Sequence, residues 1–333
     1  MLIHLFRKTQ WHTPFLLLII GAVLWFDAFM RPEASLAYIR TINAPLYNLF
    51  EPFVSAYPLA ANIFSFLLLL FQVYLVNYVA TSKAFTDKYS GLTALFYLLL
   101  MSSTPGMIAP HPVLFSNLFL LLALNKIFHV YREKQVRLEV FNVGLLIALA
   151  GLFYYPAMVF VFLLLIALFV YYQVNIKAFF AALLGFLTPF AFLWLYYFMQ
   201  DKTDQLITEL TIMVQPMLIF EQSPGQYEKL LIYMLALLSL FSFFRLQFIN
   251  KRKRPIRIRK RINLLFLFFL FAAVSYFLTV HYLHVHYGLM MIPLSVALGS
   301  FFYEIKRKKM AETLFTVFFL LILAARFAGY IIF

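Results

Sequence analysis

Long apolar runs separated by short polar gaps make up almost the whole 333-residue chain. A bilayer core of about 30 Å is crossed by a helix of about 17 to 25 apolar residues. The pattern therefore predicts an all-α protein, a polytopic transmembrane bundle of about eleven helices. These helices are expected near residues 13–29, 59–79, 92–104, 112–128, 140–155, 157–174, 178–199, 230–248, 263–280, 288–303 and 312–332.

The positive charges lie in alternate gaps between these runs. Of the 27 Lys and Arg residues, 22 fall in 1–12, 80–91, 126–139, at Lys177, in 245–262 and in 306–309. Cytoplasmic loops of membrane proteins carry an excess of Lys and Arg. The N-terminus is therefore predicted inside and the C-terminus outside, and each basic gap then reaches the cytoplasm without a skipped span.

Composition agrees with a membrane protein. The chain is 64% hydrophobic and 12% charged, with a mean hydropathy of +0.89, whereas about a quarter of the residues in a soluble domain are charged. The net charge of +14 lies mostly in short loops beside the membrane. Topology and contact with anionic membrane lipids explain it there, and no nucleic-acid partner is expected. The chain has no cysteine, which excludes disulfides and thiol chemistry.

We expect a single transmembrane domain over residues 1–333. It has external loops at 30–58 and 200–229 and a basic cytoplasmic loop at 249–262. The first apolar run ends without a small-residue cleavage site, which favours a retained helix over a signal peptide. The spans in 92–128 and 140–174 form pairs bent at prolines, with both turns facing outside. Such breaks persist at membrane depth only where protein or a wet cavity satisfies the freed backbone groups.

The first candidate for chemistry is an acid at the outer end of the first helix. Asp27 is followed by Arg31 and then Glu33. A carboxylate at that depth is costly unless it meets water, a partner or a substrate. The alternative is a solvated helix end paired with Arg31, and position alone does not separate the two.

A second candidate is the outer turn before the tenth helix, where His281, His284 and His286 fall within six residues. Neutral imidazole is a common ligand for zinc and similar ions, but no neighbouring acid completes a ligand set. No cofactor is therefore assigned, and a divalent metal stays open. The imidazoles are equally suited to binding a phosphate or a sugar, or to lying at the headgroups beside Tyr287. His111, between two prolines, adds an imidazole on the same side.

Few positive charges remain on the outer side. Arg31 and Arg40 are the natural partners for an anionic lipid phosphate there, because a guanidinium binds phosphate through two parallel hydrogen bonds. Ordinary pairing with nearby acids is the alternative reading.

The chain resembles the GT-C superfamily of integral membrane glycosyltransferases. The likeness rests on the acid just beyond the first helix, the amphipathic first outer loop 30–58 and the proline-bent pairs after it. It rests also on His286-Tyr-Gly-Leu-Met-Met-Ile-Pro293, which is similar to a segment of lipid-A aminoarabinose and protein mannosyl transferases. The overall pattern is also similar to inner-membrane proteins of Bacteroidota.

The resemblance implies a GT-C-like fold in a bacterial inner membrane and transfer of a sugar from a polyprenyl-phosphate donor to a glycan, lipid or protein acceptor outside. Asp27 would then act as the general base or orient the acceptor hydroxyl, with Glu33 as the next acid. Arg31, Arg40, His284 or His286 would neutralise the departing phosphate, and His111 and Tyr287 would contact the substrate.

Two other classes remain. The chain is also compatible with a non-enzymatic subunit of an envelope assembly or secretion machine, because fold does not fix function. A transporter is the third class, although polar residues near the midplane are few (Gln72, Asn77, Asn117) and no internal repeat is evident.

Overall fold

The computed structural model describes residues 2–7, 12–33, 44–87, 90–130, 136–171, 176–214, 234, 237–238, 240–250, 254–276, 283–305 and 307–331. All regular structure in this part of the chain is helical, so the predicted all-α class is confirmed. We number its α-helices α1 Leu2–Arg7, α2 Thr13–Met30, α3 Pro45–Ala56, α4 Pro58–Ser82, α5 Leu92–Met101, α6 Pro112–Val130, α7 Val136–Phe153, α8 Phe160–Val170, α9 Ile176–Met199, α10 Thr203–Val214, α11 Ile256–Ser275, α12 Leu283–His286, α13 Gly288–Glu304 and α14 Lys308–Ile331.

Five helices in the described part of the chain are long and apolar enough to cross a membrane. They are Thr13–Met30, Pro58–Ser82, Pro112–His129, Val136–Phe153 and Ile176–Met199. α5, α13 and the stretch Tyr155–Val170 are shorter apolar helices. A multi-pass membrane protein is therefore supported, whereas the count of eleven spans and the GT-C fold remain predictions.

Both proline turns interrupt helices where the sequence predicts a bend. α5 ends at Met101, three residues before the predicted end, and a 3₁₀ turn, Pro105–Met107, follows. A second 3₁₀ turn, Tyr155–Val159, separates α7 from α8 around Pro156. Proline removes a backbone donor and clashes with the preceding turn of a helix, which ends each helix there.

The predicted external loops contain helices. In loop 30–58, α3 packs Tyr47 against Phe115 of α6, and residues 34–43 lie outside the described residues. In loop 200–229, α10 spans Thr203–Val214, and residues 215–229 lie outside the described residues. The basic loop is shorter than the predicted 249–262, because α11 already begins at Ile256 after Pro255.

The core is built around α5 and α13. Every side chain of α5 is buried, and α13 is buried from Gly288 to Phe302 except at Met290, which is partly buried. The two helices pack closely, because a Cβ at Gly299 would meet both the backbone and the side chain of Thr93. Large apolar side chains remain exposed on α2, α4 and α9, as expected for surfaces that face lipid.

Small residues also bring α7 and α9 together. An added Cβ at Gly144 would meet the backbone of Ala182 and Phe186, and one at Gly185 would meet the backbone of Phe141. Glycine lets two helix backbones approach closely, which is how many membrane helices associate. These two glycines therefore fix the position of α9, which is otherwise largely exposed.

The basic gaps meet at one end of the bundle. Arg7 donates to the carbonyls of Phe302 and Ile305, at 3.0 and 2.7 Å. Arg254 donates to the carbonyls of Ala84 and Phe85 and pairs with Glu304 at 3.0 Å. Cations are favoured at the carbonyl end of a helix, so these arginines stabilise helix C-termini.

The gathering of basic gaps sharpens the topology prediction. Because the chain lacks cysteine, single cysteines can be introduced at exposed positions and labelled with an impermeant thiol reagent in intact cells. We expect labelling at Glu33 and Asp204 and none at Arg137 or Arg259 until the membrane is opened. Lys83 and His111 are buried and unsuitable as labelling positions. Labelling of Arg259→Cys in intact cells would reverse the assigned orientation.

Candidate functional site

The C-terminal end of α2, which the sequence predicts to face outside, holds Asp27 beside two buried neighbours. Trp25 is fully buried and its Nε1 donates to Ser102 Oγ at 3.1 Å. The carbonyl of Ala28 accepts a hydrogen bond of 2.8 Å from Asn62 Nδ2 of α4. Asp27 lies between them, half-buried. The end of the helix is therefore fixed on both sides of the carboxylate.

The charged residues after Asp27 are more accessible. The backbone N–H of Arg31 donates to the carbonyl of Asp27 at 2.8 Å, and the side chains of Arg31 and Glu33 are exposed. Asp27, Arg31 and Glu33 thus share one end of α2, as the sequence predicts. Arg40 lies outside the described residues.

His111 lies in the turn between α5 and α6 and is completely buried. Its Nδ1 accepts a hydrogen bond of 3.1 Å from the backbone N–H of Leu114. Its Nε2, like Thr104 Oγ1 in the same turn, has no hydrogen-bond partner among the described residues. The turn is held in place by Tyr47 of α3, whose hydroxyl donates to the carbonyl of Pro110 at 2.6 Å.

His286 is also fully buried, and both its ring nitrogens are engaged. Nδ1 lies 2.9 Å from the hydroxyl of Tyr154, and Nε2 lies 3.1 Å from the carbonyl of Ala272 and 3.3 Å from Ser275 Oγ. A carbonyl only accepts, so Nε2 carries the hydrogen and Nδ1 accepts from Tyr154. The ring joins three segments of the bundle, namely α11, α12 and the start of the 3₁₀ turn after α7.

Burial keeps both imidazoles neutral. It lowers the pKa of His286 to about 4, opposed by the bond to the Ala272 carbonyl. It lowers the pKa of His111 to about 3, opposed by a backbone interaction at Met107. Neither ring is protonated near neutral pH. In this arrangement His286 therefore does not supply the positive charge that the resemblance implies for neutralising a departing phosphate.

The turn that contains His281, His284 and His286 has other residues that are less constrained than His286. Tyr287 is partly exposed and stacks on Tyr276, with ring centroids 6.2 Å apart. His284 lies on α12, but its side chain, like all of His281, lies outside the described parts. Among the side chains that the structure describes, no three His, Cys, Asp or Glu residues form a metal-binding group.

A series of buried, hydrogen-bonded polar side chains lies beside the turn that contains His286. The sequence alone did not indicate it as a site. Gln72 Nε2 donates to the carbonyl of Leu114 at 2.7 Å, and its Oε1 accepts from the hydroxyl of Tyr97 at 2.7 Å. Asn117 Nδ2 donates to the carbonyl of Gly288 at 2.9 Å and lies 3.5 Å from the Tyr97 hydroxyl. Isolated Gln and Asn residues within apolar runs were the available signal.

The contacts connect the two candidate regions through the proline turn after α5. Trp25 ties α2 to Ser102 at the start of this turn. α12 packs on the 3₁₀ turn Pro105–Met107, and Gly288 lies against Met101 and Val113. The turn thus lies between Asp27 on one side and His286 on the other, and all three belong to the same end of the bundle.

An apolar groove of about 460 Å³ lies elsewhere, between α11 and the helical residues that lead into the π-helical segment Arg245–Asn250. It is lined mainly by Leu and Phe, including Leu240, Phe244 and Phe269. None of the predicted site residues lines it.

Comparison with known proteins gives no matching family model and no significant match to a curated protein or a solved structure.

Proposed function

We propose that the chain is a membrane-embedded glycosyltransferase. It would move a sugar from a polyprenyl-phosphate donor to an acceptor on the outer face of a bacterial inner membrane. The observation that carries the proposal is Asp27, a half-buried carboxylate near the C-terminal end of a helix that is long and apolar enough to cross a membrane. An ionisable group placed at such a depth is usually functional.

In this proposal the carboxylate of Asp27 accepts the proton of the acceptor hydroxyl as that oxygen attacks C1 of the sugar. The bond from C1 to the phosphate oxygen breaks, and the polyprenyl phosphate leaves with the electron pair. Arg31 is exposed, lies four residues after Asp27 and is always positively charged. Its guanidinium can therefore stabilise the negative charge of the departing phosphate. Glu33, which is also exposed, has a secondary role.

The histidines receive a different role from the one that the resemblance implies. His286 and His111 are buried and neutral, so they position the outer turns and do not neutralise the phosphate. The unpartnered Nε2 of His111 and Oγ1 of Thr104 remain available as contacts for a polar substrate group. Tyr287, partly exposed at the same end, is suited to stacking on a sugar ring.

Replacing Asp27 by Asn tests the proposal. An isosteric amide keeps the packing but does not accept the proton, and general-base catalysis contributes about 100-fold to 10,000-fold. We expect transfer of a radiolabelled sugar from a polyprenyl-phosphate donor by the purified protein to fall by at least about 100-fold. Protein abundance should stay near that of the wild type.

Two matched variants make this result specific. Glu33→Gln should have a milder effect, and Asp204→Asn, at an exposed acid of α10, should have none. Full activity of Asp27→Asn would make that carboxylate structural and end the proposed mechanism.

A non-enzymatic membrane subunit is the second candidate. Both ring nitrogens of His286 are hydrogen-bonded within the protein. This favours the second candidate, because a turn with a purely structural role needs no contact with a sugar donor. In that case, genetic complementation would survive Asp27→Asn but would fail in variants that disturb the packing of the outer turn.

A further inference from the structure

Lys83 directly follows the last residue of α4, and its side chain is turned into the protein. The residue is only 3% exposed, and its Nζ lies 2.9 Å from both ring nitrogens of His129 on α6. Nδ1 of His129 also lies 2.9 Å from the carbonyl of Asn125. A carbonyl only accepts, so Nδ1 carries the hydrogen and Nε2 accepts from the ammonium of Lys83.

The surroundings of Lys83 are positive. Arg261 of α11 donates to the backbone carbonyl of Lys83 at 3.1 Å. Burial, and then the charge of Arg261, lower the pKa of Lys83 to about 8. At neutral pH the amine still carries its proton most of the time, next to a guanidinium that is always charged.

The nearby acids that the structure describes have other partners. Glu139 pairs with Lys126 at 2.9 Å, Glu304 pairs with Arg254 at 3.0 Å, and Asp87 accepts a hydrogen bond from the hydroxyl of Tyr303. No carboxylate of the described residues contacts Lys83. A buried charge without a counter-ion is unfavourable, and an anion that reaches this place would remove the penalty.

The backbone holds the amine in place. Ala84 has a left-handed conformation, with φ of 62°, and the N–H groups of Lys83 and Phe85 donate to carbonyls of the last turn of α4. Arg254 binds the carbonyls of Ala84 and Phe85. His129 is exposed, so the cluster reaches the surface at the end of the bundle where the basic gaps meet.

We propose that Lys83, His129 and Arg261 form a binding site for a phosphate group at the cytoplasmic end of the bundle. The phosphate belongs either to an anionic phospholipid of the inner leaflet or to a free phosphate ion. The cytoplasmic surface of a bacterial membrane is rich in anionic headgroups, which attract Lys and Arg clusters. The proposal concerns the face opposite Asp27 and does not depend on the transferase.

The test is thermal unfolding of the full-length protein in detergent. Phosphatidylglycerol is compared with phosphatidylcholine of the same acyl chains, and inorganic phosphate with chloride at equal ionic strength. Because a ligand of the folded state stabilises by mass action, we expect phosphatidylglycerol to raise the wild-type midpoint by about 3 °C more than phosphatidylcholine does.

Lys83→Met keeps the apolar stem and removes the charge, so the phosphatidylglycerol-dependent shift should disappear. Without added lipid, this variant should be at least as stable as the wild type, because it lacks the uncompensated charge. Lys309→Met is the control, since it removes an exposed cytoplasmic lysine and should retain the full shift. Arg261→Gln, whose amide can still donate to the Lys83 carbonyl, provides a second variant with a reduced shift.

A shift with inorganic phosphate that also needs Lys83 would identify a free anion as sufficient. A shift with phosphatidylglycerol alone would assign the phosphate to a lipid. Equal shifts in the wild type, Lys83→Met and Lys309→Met, or no shift with either ligand, would overturn the proposal.

Discussion

Replacing His286 by Ala is expected to destabilise the protein by about 2 to 4 kcal/mol. The substitution removes the acceptor of the Tyr154 hydroxyl and the donor to the Ala272 carbonyl, and it leaves a cavity between α11 and α12. The measurement is the unfolding midpoint of the detergent-solubilised protein. His286→Gln, which offers one acceptor and one donor, should recover most of the loss.

The same residue predicts how stability depends on pH. The folded-state pKa of His286 is lowered to about 4 from 6.5, so between these values the unfolded chain binds a proton that the folded chain does not. The stability contributed by the neutral ring is complete above about pH 6.5 and is lost as the pH falls towards 4. The slope is up to about 1.4 kcal/mol per pH unit for one such group. His111, with its pKa lowered to about 3, acts in the same direction.

The pH dependence provides a control that packing alone does not. His286→Gln should keep stability near the wild-type value at pH 7.5 and weaken its fall between pH 6.5 and 4.5. If His286→Ala is as stable as the wild type, or if His286→Gln leaves the pH dependence unchanged, the buried ring does not hold the turn between α11 and α13. His286→Gln with normal stability but no sugar transfer would return this residue to the substrate site.

The second large effect is expected at the crossing of α7 and α9. Gly185→Ala would place a Cβ against the backbone of Phe141, which cannot move without shifting α7. Alanine normally stabilises a helix by about 0.5 to 1 kcal/mol relative to glycine. Here we expect the opposite sign, a loss of about 1 to 3 kcal/mol from overpacking. Unfolding midpoints and the monodisperse fraction after gel filtration would measure it.

Gly151→Ala is the matched substitution in α7. Its new Cβ would meet the side chain of Met158, and not a backbone. Methionine is flexible and adapts to altered packing, so this variant should be tolerated much better. Similar losses for Gly151→Ala and Gly185→Ala would mean that the close approach of the α7 and α9 backbones is not what limits the substitution.

Much of the architecture could be predicted from the sequence, because the bilayer makes local pattern decisive. Apolar runs of membrane-spanning length, interrupted at Pro105 and Pro156, indicate where helices lie and where they end, since a chain in lipid satisfies its backbone groups within each helix. The positions of Asp27, Arg31 and Glu33 at one helix end also follow from the sequence alone. The alternating basic gaps predict an end of the bundle where positive charge gathers, and residues of four of them, 1–12, 80–91, 126–139 and 245–262, do meet there.

Tertiary structure decided what the polar residues do. The sequence does not distinguish His286 from an exposed ligand-binding histidine. Only the structure, which places Tyr154 and Ala272 beside it, shows that the ring is buried, neutral and hydrogen-bonded through both nitrogens. Gln72, Tyr97 and Asn117 form a chain because three helices and the start of α13 bring them together. In the sequence, Lys83 is one more basic residue that helps to predict the topology. Only the packing of α6 and α11 against it shows that it is buried. Periodicity and charge depend on neighbours along the chain, whereas burial, protonation and hydrogen bonding depend on residues far apart in sequence, which only packing brings into contact.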